Sequence, residues 1–354
     1  MLGWDRNVGG LAARSWAVVV AVLCIGAGGV ARAQDITLRL HHLLPQQSVA
    51  QVQFLQPWAD KVMAESGGRL KVEIYPSMQL GGKPAQLFDQ ARDGVVDLVW
   101  TVPSYTPGRF PTIEVFELPF VTASAEATSQ AVTEFATKYA REEFAGVHPL
   151  VFHVHAPGSL HLASRPVARL EDMTGLKLRA PHRPGTEALS ALGAVPVGMP
   201  APEVTQSLAR GVVDGTLFPF EVVLPLRVHE VTRFHTRLFA KRGLYTVVIA
   251  LLMNQARYDS LPPDLKAVID ANSGLAVAKW VGQVFDKAEQ PGIDAALAKG
   301  NRLITLDQAE LDRWEQATRP VVDRWVADSN ARGLEGQALL DEARALVAKY
   351  DSAN

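Results

Sequence analysis

The stretch Gly175-Leu176-Lys177-Leu178-Arg179-Ala180-Pro181 is typical of a short apolar strand that ends in an arginine. A guanidinium offers several hydrogen-bond donors in a rigid planar fork. An arginine held at the end of such a strand is therefore suited to bind a carboxylate through two parallel hydrogen bonds. An arginine at a strand end is also often a solvated surface group. The stretch predicts a strand, and it makes Arg179 a candidate carboxylate contact that the rest of the chain has to support.

Strand patterns alternate with helical patterns along most of the chain. Period-two alternation predicts strands at 36–40 and 70–76, and apolar positions on one helical face predict a helix over 49–65 that ends at Gly67-Gly68. The same reasoning predicts further strands at 95–100, 150–154, 176–179, 195–197 and 245–253, and further helices at 87–92, 187–192, 202–210, 264–271, 274–299, 307–331 and 335–350. This order predicts an α/β fold, in which sheets rich in parallel strands are covered by helices and a helical region follows at the C-terminus.

Residues 1–33 have the pattern of a secretory signal peptide. Arg6 and Arg14 precede the apolar run 16–23, and Ala31-Arg32-Ala33 fits a small-x-small cleavage site. The apolar run is shorter than the roughly 20 residues that cross a bilayer. The sequence therefore predicts a protein exported to the periplasm. The single cysteine, Cys24, lies inside the signal, so a large core rather than disulfides has to stabilise the mature protein.

Length and charge limit the class of protein. The chain has 354 residues, and its 35 basic and 37 acidic residues give a net charge of −2. About 320 mature residues exceed what one hydrophobic core usually holds, which favours two domains. Because no basic excess marks a nucleic-acid-binding surface, no nucleic-acid partner is expected.

Motifs of several common enzyme classes are missing from the sequence. It contains no Gly-x-Ser-x-Gly elbow, no His-Glu-x-x-His helix and no phosphate-binding loop in the mature chain. His153 and His155 lie two apart in a predicted strand and could form a metal pair, but no third ligand follows at a useful spacing. We therefore expect no enzymatic activity, no cofactor and no metal. A periplasmic metal-dependent hydrolase built on these histidines is the alternative from a different class.

Ligands of open α/β sheets bind at the carboxyl ends of the strands. This rule selects one cation together with imidazoles, aromatic rings and a carboxyl group: Arg179, His41, His42, His153, His155, Trp100, Phe218, Tyr245 and Glu221. Aromatic walls supply buried area, and the few polar groups fix the orientation of a ligand. Together these residues predict a pocket for a small organic anion with an apolar body.

Six short motifs, in order along the chain, give it a resemblance to a known family. They are Leu80-Gly81-Gly82, Gly94-Val95-Val96-Asp97-Leu98, Phe116-Glu117-Leu118-Pro119-Phe120, Gly175-Leu176-Lys177-Leu178-Arg179, Gly193-Ala194 with Pro196-Val197, and Gly211-Val212-Val213-Asp214-Gly215. On these motifs the sequence resembles the solute-binding proteins of tripartite ATP-independent periplasmic (TRAP) transporters, of the dicarboxylate-binding DctP type. The resemblance extends over nearly the whole mature chain.

The resemblance implies a two-lobed periplasmic-binding-protein fold, type II-like, that closes on a small organic carboxylate. We expect lobe I at 34–156 and 246–285, lobe II at 157–245 and 286–320, and C-terminal helices at 321–354 that pack on the lobes. The resemblance also implies delivery of the ligand to the small and large membrane subunits of a TRAP permease. A binding protein that signals to a sensor kinase is the alternative within the same fold. Arg179 stands where the family has its carboxylate-binding arginine.

Other positions depart from the family pattern or extend it. Where many members show a Glu-Asn-Pro step, this chain has Leu217-Phe218-Pro219-Phe220-Glu221. An aromatic ring thus replaces an amide, so we expect a less polar acid rather than a C4-dicarboxylate or a sugar acid. Tyr245 matches a position near the ligand in relatives, and Trp100 ends a predicted strand. For both rings, packing in the core is the alternative to a ligand contact. Arg109 is a candidate second cationic contact, with bracing of its loop as the alternative.

The remaining ionisable candidates also have two interpretations. His155 precedes Ala156-Pro157-Gly158, where relatives cross between lobes, and is either a ligand contact or a structural histidine. His41 and His42 alternate in direction, so at most one of them faces the cleft, and we predict that it is His42. Glu221 could hold a cation that bridges ligand and protein, or it could cap a helix or tie a loop.

Overall fold

Two mixed β-sheets flanked by helices form the protein, which confirms the predicted α/β class. The computed structural model describes residues 35–238 and 242–352, so the predicted signal peptide lies outside the described residues. Among the described helices, none combines the length and the apolar character that crossing a membrane requires.

The strands are short, and most of them follow the predicted alternation with helices. In chain order they are β1 (Ile36–His42), β2 (Leu70–Tyr75), β3 (Leu98–Thr101), β4 (Val147–Val154), β5 (Ser159–Leu162), β6 (Lys177–Ala180), β7 (Val195–Gly198), β8 (Gly215–Phe218), β9 (Phe234–Arg237), β10 (Val248–Asn254) and β11 (Arg302–Thr305).

The helices lie on the faces of the sheets and make up most of the C-terminal region. In chain order they are α1 (Gln56–Glu65), α2 (Leu87–Arg92), α3 (Ala125–Tyr139), α4 (Arg183–Ala191), α5 (Val204–Ala209), α6 (Val228–Val231), α7 (Gln255–Asp259), α8 (Pro263–Ala271), α9 (Gly274–Ala298), α10 (Gln308–Ala331) and α11 (Gly336–Asp351).

The first sheet has the strand order β2-β1-β3-β10-β4. β1 pairs in parallel with β2 and β3, whereas β10 is antiparallel to β3 and β4. Every residue of β3 and β10 is buried, as expected for central strands that are covered on both faces. In this register the carboxyl ends of β1 and β3 lie at the same edge of the sheet as the beginning of β10.

The second sheet has the strand order β11-β9-β5-β8-β6-β7. β6 lies between β7 and β8 and is parallel to both, whereas β5 is antiparallel to its neighbours β8 and β9. Arg179 of β6 is paired with Val197 on one side and Thr216 on the other. The arginine that the sequence singled out therefore stands inside the sheet rather than on its exposed edge.

The chain passes between the two sheets along adjacent segments. β4 of the first sheet leads to β5 of the second through residues 155–158, and the chain returns to the first sheet before β10. The Gly158 N–H donates to the Tyr245 carbonyl at 3.1 Å and ties these segments together. A Cβ atom at Gly158 would lie 1.8 Å from the Tyr245 ring, so a side chain there has no room. The division into two lobes at the predicted residue boundaries remains a proposal.

Helix α9 packs against both halves of the molecule. The first half is the first sheet with its helices, and the second half is the second sheet with its helices. A Cβ at its Gly282 would lie 2.5 Å from the backbone of Glu126 in α3, and a Cβ at its Gly292 would lie 2.0 Å from the Phe220 carbonyl oxygen. Between these two glycines, Glu289 accepts a hydrogen bond from the Glu221 N–H at 3.0 Å. The helix thus holds the turn after β8 in place, and this turn forms one wall of the cavity described next.

Candidate ligand-binding cleft

A cavity lies between the two sheets, where strand ends from both of them converge. Its wall consists of Leu43, Leu44, Trp100, Val102 and Tyr105 from the first half, of Arg179, Ala201, Phe218, Pro219, Glu221 and Val222 from the second, and of His155, Tyr245, Val247 and Ile249 from the crossing segments and β10. Most of these side chains are apolar or aromatic, which suits a ligand with an apolar body. The structure thus brings together the predicted site residues Trp100, His155, Arg179, Phe218, Glu221 and Tyr245.

Arg179 is held by backbone carbonyls of the second half. Its Nε donates to the Met199 carbonyl at 2.9 Å, and its Nη1 donates to the Leu217 carbonyl at 3.0 Å. The guanidinium carbon lies 4.6 Å from the centre of the Phe218 ring, at a distance where a cation is attracted to the face of an aromatic ring. These contacts fix the plane of the guanidinium at the cavity wall.

The positive charge of Arg179 is buried and has no negative partner among the described residues. The residue is 1 % exposed, and its hydrogen bonds to protein groups go to neutral carbonyls. Burial lowers the pKa of this guanidinium from its usual value, and the nearby side chains of Tyr105 and Tyr245 oppose that effect. A guanidinium nevertheless stays charged in proteins. Burying such a charge without a counter-ion costs several kcal/mol, so an anion in the cavity would stabilise the site.

Trp100 forms an aromatic wall that the first sheet holds rigidly. Its Nε1 donates to Nε2 of His153 at 2.9 Å, and both residues are buried. Burial lowers the pKa of His153 to about 3, so this imidazole is neutral and can accept the hydrogen bond. Because the indole N–H is already satisfied, Trp100 presents only apolar ring surface to a ligand.

Tyr105 is a site residue that the sequence did not single out. It lies in the turn after β3, and its hydroxyl accepts a hydrogen bond from the Ala201 N–H of the second half at 3.1 Å. The Tyr105 side chain also lies next to the guanidinium of Arg179. It therefore bridges the cleft from the first half to the second. No local pattern marks it, because it lies in an irregular turn beyond the end of β3 and its place depends on the contact with the other half.

His155 lies in the crossing segment with one ring nitrogen bonded and the other free. Its Nδ1 is 2.5 Å from the Ala156 carbonyl oxygen and 3.3 Å from the Thr246 hydroxyl, whereas its buried Nε2 has no partner among the described residues. Burial lowers the pKa of His155 to about 4, so the ring is neutral at physiological pH. A neutral imidazole carries one proton, and the carbonyl requires it on Nδ1. The Nε2 atom therefore presents a lone pair.

Glu221 and Tyr245 contribute two further polar groups to the cavity wall. Glu221 Oε2 and the Tyr245 hydroxyl are both buried without a partner among the described residues. Burial raises the pKa of Glu221 well above its usual value, and the neighbouring Glu289 raises it further. This shift favours the neutral form of the Glu221 carboxyl, and no ion pair joins Glu221 to Arg179 among the described residues.

The structure does not bring His42 or Arg109 into the cavity. His42 Nε2 is 2.5 Å from Gln51 Oε1, and the His42 Nδ1 accepts from the Leu44 N–H at 3.2 Å, so this imidazole holds the loop whose leucines line the cavity. Arg109 forms an ion pair with Asp89 at 2.8 Å and stacks 4.3 Å from the centre of the Phe88 ring. Its charge is satisfied there, so Arg109 braces its loop and offers no second cationic contact.

The histidines do not form a metal site in the part of the chain that the structure describes. No group of three or more metal-ligating side chains occurs among the described residues. The β4 strand ends at Val154, so His155 lies beyond it and does not share the strand register of His153. The expected geometry of a metal pair is therefore not formed, and His153 is occupied by Trp100.

Comparison with known proteins identifies the class of protein that this fold and cavity define. The family model DctP, described as bacterial extracellular solute-binding protein, family 7, matches residues 41–328. The chain belongs to this family, as the sequence motifs indicated. It is therefore a solute-binding protein of the extracytoplasmic type. Proteins of this kind bind small organic acids and work with the membrane permease subunits of TRAP transporters.

Two solved structures and one curated relative show the degree of similarity. A TRAP solute-binding protein from Rhodoferax ferrireducens in complex with copurified benzoate is 46% identical, with a TM-score of 0.89, 90% of this chain covered and 99% of that one. A marine metagenome TRAP solute-binding protein specific for aromatic acid ligands, in complex with 3-hydroxybenzoate, is 45% identical, with a TM-score of 0.88 and the same coverage of 90% and 99%. The C4-dicarboxylate-binding periplasmic protein DctP of Rhodobacter capsulatus is 28% identical over 73% of this chain and 77% of its own length.

Proposed function

We propose that this protein binds an aromatic monocarboxylate in the periplasm and delivers it to a TRAP permease without any chemical change. The observation that carries the proposal is the buried guanidinium of Arg179, which has no carboxylate partner among the described residues and faces a cavity with aromatic walls. A ligand carboxylate supplies the missing negative charge through charge-assisted hydrogen bonds. The apolar body of the ligand then lies between Trp100 and Phe218.

The rest of the cavity wall favours one carboxylate rather than two. Arg179 is the one described arginine or lysine that lines the cavity, and burial raises the pKa of the acidic Glu221 well above its usual value. A second carboxylate, as in succinate, would have to leave water for a wall that offers it no second arginine or lysine among the described residues. Burying an unpaired carboxylate in such surroundings is strongly unfavourable. The aromatic ligands of the two similar solved structures support the same class of acid.

Binding and release follow from the position of the cavity between the two halves. A ligand there contacts residues of both sheets only when the cleft is closed, so it shifts the population toward the closed form. Two contacts already join the halves around the cavity: the hydrogen bond from the Ala201 N–H to Tyr105, and the ion pair between Arg183 and Glu114 at 2.6 Å. The closed form is the one that we propose the permease subunits recognise. No step of this cycle requires a catalytic group or a cofactor.

A melting screen of the mature protein against carboxylates tests the proposed ligand class. We expect benzoate-like and other aromatic monocarboxylates to raise the melting temperature, because a ligand that binds only the folded protein stabilises it in proportion to RT ln(1 + [L]/Kd). Succinate and sialic-type acids at the same concentration should give much smaller shifts. A largest shift with succinate would overturn the proposed ligand class.

A further inference from the structure

Three buried polar atoms of the cavity wall have no hydrogen-bond partner in the part of the chain that the structure describes, and they differ in whether they donate or accept. They are Nε2 of His155, Oε2 of Glu221 and the hydroxyl oxygen of Tyr245. All three residues are at most 4 % exposed. Buried polar groups in folded proteins are almost always hydrogen-bonded, so unpartnered groups that share one cavity indicate what a ligand must supply there.

His155 is the informative member, because its hydrogen-bonding role is fixed. Its Nδ1 faces two oxygen atoms, the Ala156 carbonyl at 2.5 Å and the Thr246 hydroxyl at 3.3 Å. The hydroxyl proton of Thr246 is itself donated to the His155 carbonyl at 2.9 Å, so that oxygen is free to accept. The Nδ1 atom must therefore carry the ring proton, which leaves Nε2 as an acceptor. The Tyr245 ring packs edge-on against the imidazole, with 5.3 Å between ring centres, and keeps it from turning.

A carboxylate cannot satisfy this atom. The oxygens of a carboxylate can only accept hydrogen bonds. An unsubstituted benzoate ion therefore has no donor that could bond to Nε2. A ligand hydroxyl, by contrast, donates to the lone pair of His155. Its oxygen can also accept a hydrogen bond from the Tyr245 hydroxyl, which can donate and has no partner among the described residues.

We propose that Nε2 of His155 is a hydroxyl-recognition site, so that the preferred ligand is an aromatic acid carrying a hydroxyl group. The ligand carboxylate binds Arg179, and the hydroxyl donates to His155. This inference rests on the proposed function, since it requires an aromatic acid in the cavity. It makes His155 a specificity-determining residue rather than a structural one, and it predicts which acids the protein prefers within its class.

Calorimetry with matched ligands tests the inference on the wild-type mature protein. The panel contains benzoate, its three hydroxy isomers and the three methylbenzoates, together with phenylacetate and mandelate. We expect at least one hydroxylated acid to bind about 10- to 100-fold more tightly than its parent acid, because the parent leaves a buried acceptor unpaired. The methylbenzoate with its methyl at the preferred position should show no such gain, since it fills the same space without a donor.

A variant assigns the preference to His155. His155→Phe keeps a ring and removes the lone pair, so we expect the preference for the hydroxylated acid, measured as the ratio of its affinity to that of benzoate in the same variant, to fall to about threefold or less. A wild-type protein that binds benzoate as tightly as every hydroxylated acid would overturn the inference and leave the proposed function intact. Retention of the full preference in His155→Phe would also overturn it. If no aromatic acid bound the wild-type protein, the proposed function itself would fail.

Discussion

Arg179→Ala is expected to lose about 2 to 5 kcal/mol of binding free energy for the preferred acid. This corresponds to a dissociation constant about 30-fold to several thousand-fold higher than that of the wild-type protein. The physical reason is that the guanidinium is buried and rigidly held by the carbonyls of Met199 and Leu217, so its removal leaves a buried ligand carboxylate without a partner. Isothermal titration calorimetry with benzoate or its tightest-binding derivative measures the loss.

Two further variants show whether the loss comes from the geometry of the arginine. Arg179→Lys should also lose much of the affinity, because a point charge cannot reproduce the two parallel donors of the guanidinium fork. Arg109→Ala is the matched control, since Arg109 forms its ion pair with Asp89 and does not line the cavity. It should bind the acid as the wild-type protein does. Wild-type affinity in Arg179→Ala would remove the basis of the proposed site.

Stability should fall steeply as the pH drops from 6.5, because buried histidines must take up protons when the chain unfolds. Burial lowers the pKa to about 3 for His153 and His182, to about 4 for His42, His155 and His235, and well below 6.5 for His161. Below pH 6.5 the unfolded chain therefore binds more protons at these positions than the folded protein does. When the unfolded chain binds more protons, the free energy of unfolding rises with pH. The rise is about 1.4 kcal/mol per pH unit for each proton taken up on unfolding.

Buried carboxyl groups act in the opposite direction. Burial raises the pKa of Glu117 to about 8 and that of Glu289 to about 7, and it raises the pKa of Glu221 well above the usual value. The folded protein holds these protons above pH 4.5, so they reduce stability as the pH rises from there toward the folded-state pKa. Near pH 5.5 each of the six histidines takes up about 0.9 proton on unfolding and each of the three acids releases about 0.9. The net uptake is therefore about three protons, and the free energy of unfolding falls by about 3 to 4 kcal/mol from pH 6 to pH 5.

Above about pH 6.5, the usual pKa of histidine, unfolding releases protons instead of taking them up. Near pH 7 to 8 the histidines are neutral in both states, and only the carboxyl groups distinguish the folded protein from the unfolded chain. We therefore expect maximum stability at about pH 6.5, with a decline on both sides. Urea unfolding of the ligand-free protein at half-unit steps from pH 5 to pH 8 measures this curve. A free energy of unfolding that stays constant or rises between pH 6 and pH 5 would contradict the assignment of neutral, buried histidines.

The sequence predicted those site residues whose positions follow from strand ends. Trp100 ends the predicted strand over 95–100 and lies in β3 of the structure, and Arg179 lies in β6, where the apolar stretch placed it. Phe218 ends β8, although that strand was not itself predicted. For Trp100 and Arg179, local alternation and the rule that ligands bind at strand ends were sufficient, because neither depends on distant contacts.

The sequence could not predict residues whose positions depend on how the two halves meet. Tyr105 enters the cavity because an irregular turn after β3 lets its hydroxyl reach the Ala201 N–H of the other half. Tyr245 was expected at the start of a strand, but β10 begins at Val248, because the Tyr245 carbonyl is bonded to Gly158 across the crossing segments. Such contacts join residues far apart in the chain, and no local pattern records them.

Side-chain pairing explains why His42 and Arg109, two candidates from the sequence, do not line the cavity. His42 was selected because it ends a strand and Arg109 as a second cation in a loop, yet each has a nearer partner in the fold. His42 is bonded to Gln51, and Arg109 is paired with Asp89. Arg179 is different because its guanidinium is bonded to the neutral carbonyls of Met199 and Leu217 and forms no ion pair among the described residues. The missing counter-ion, which only the structure shows, distinguishes the binding residue from the structural ones.

A crystal structure of the mature protein with benzoate, or with its tightest-binding hydroxylated derivative, tests the central claim most directly. Our account predicts that the ligand carboxylate accepts hydrogen bonds from Arg179, with donor–acceptor distances of about 2.7 to 2.9 Å, and that the aromatic ring lies between Trp100 and Phe218. A ligand bound outside this cavity would contradict the account. So would a ligand whose carboxylate lies away from Arg179.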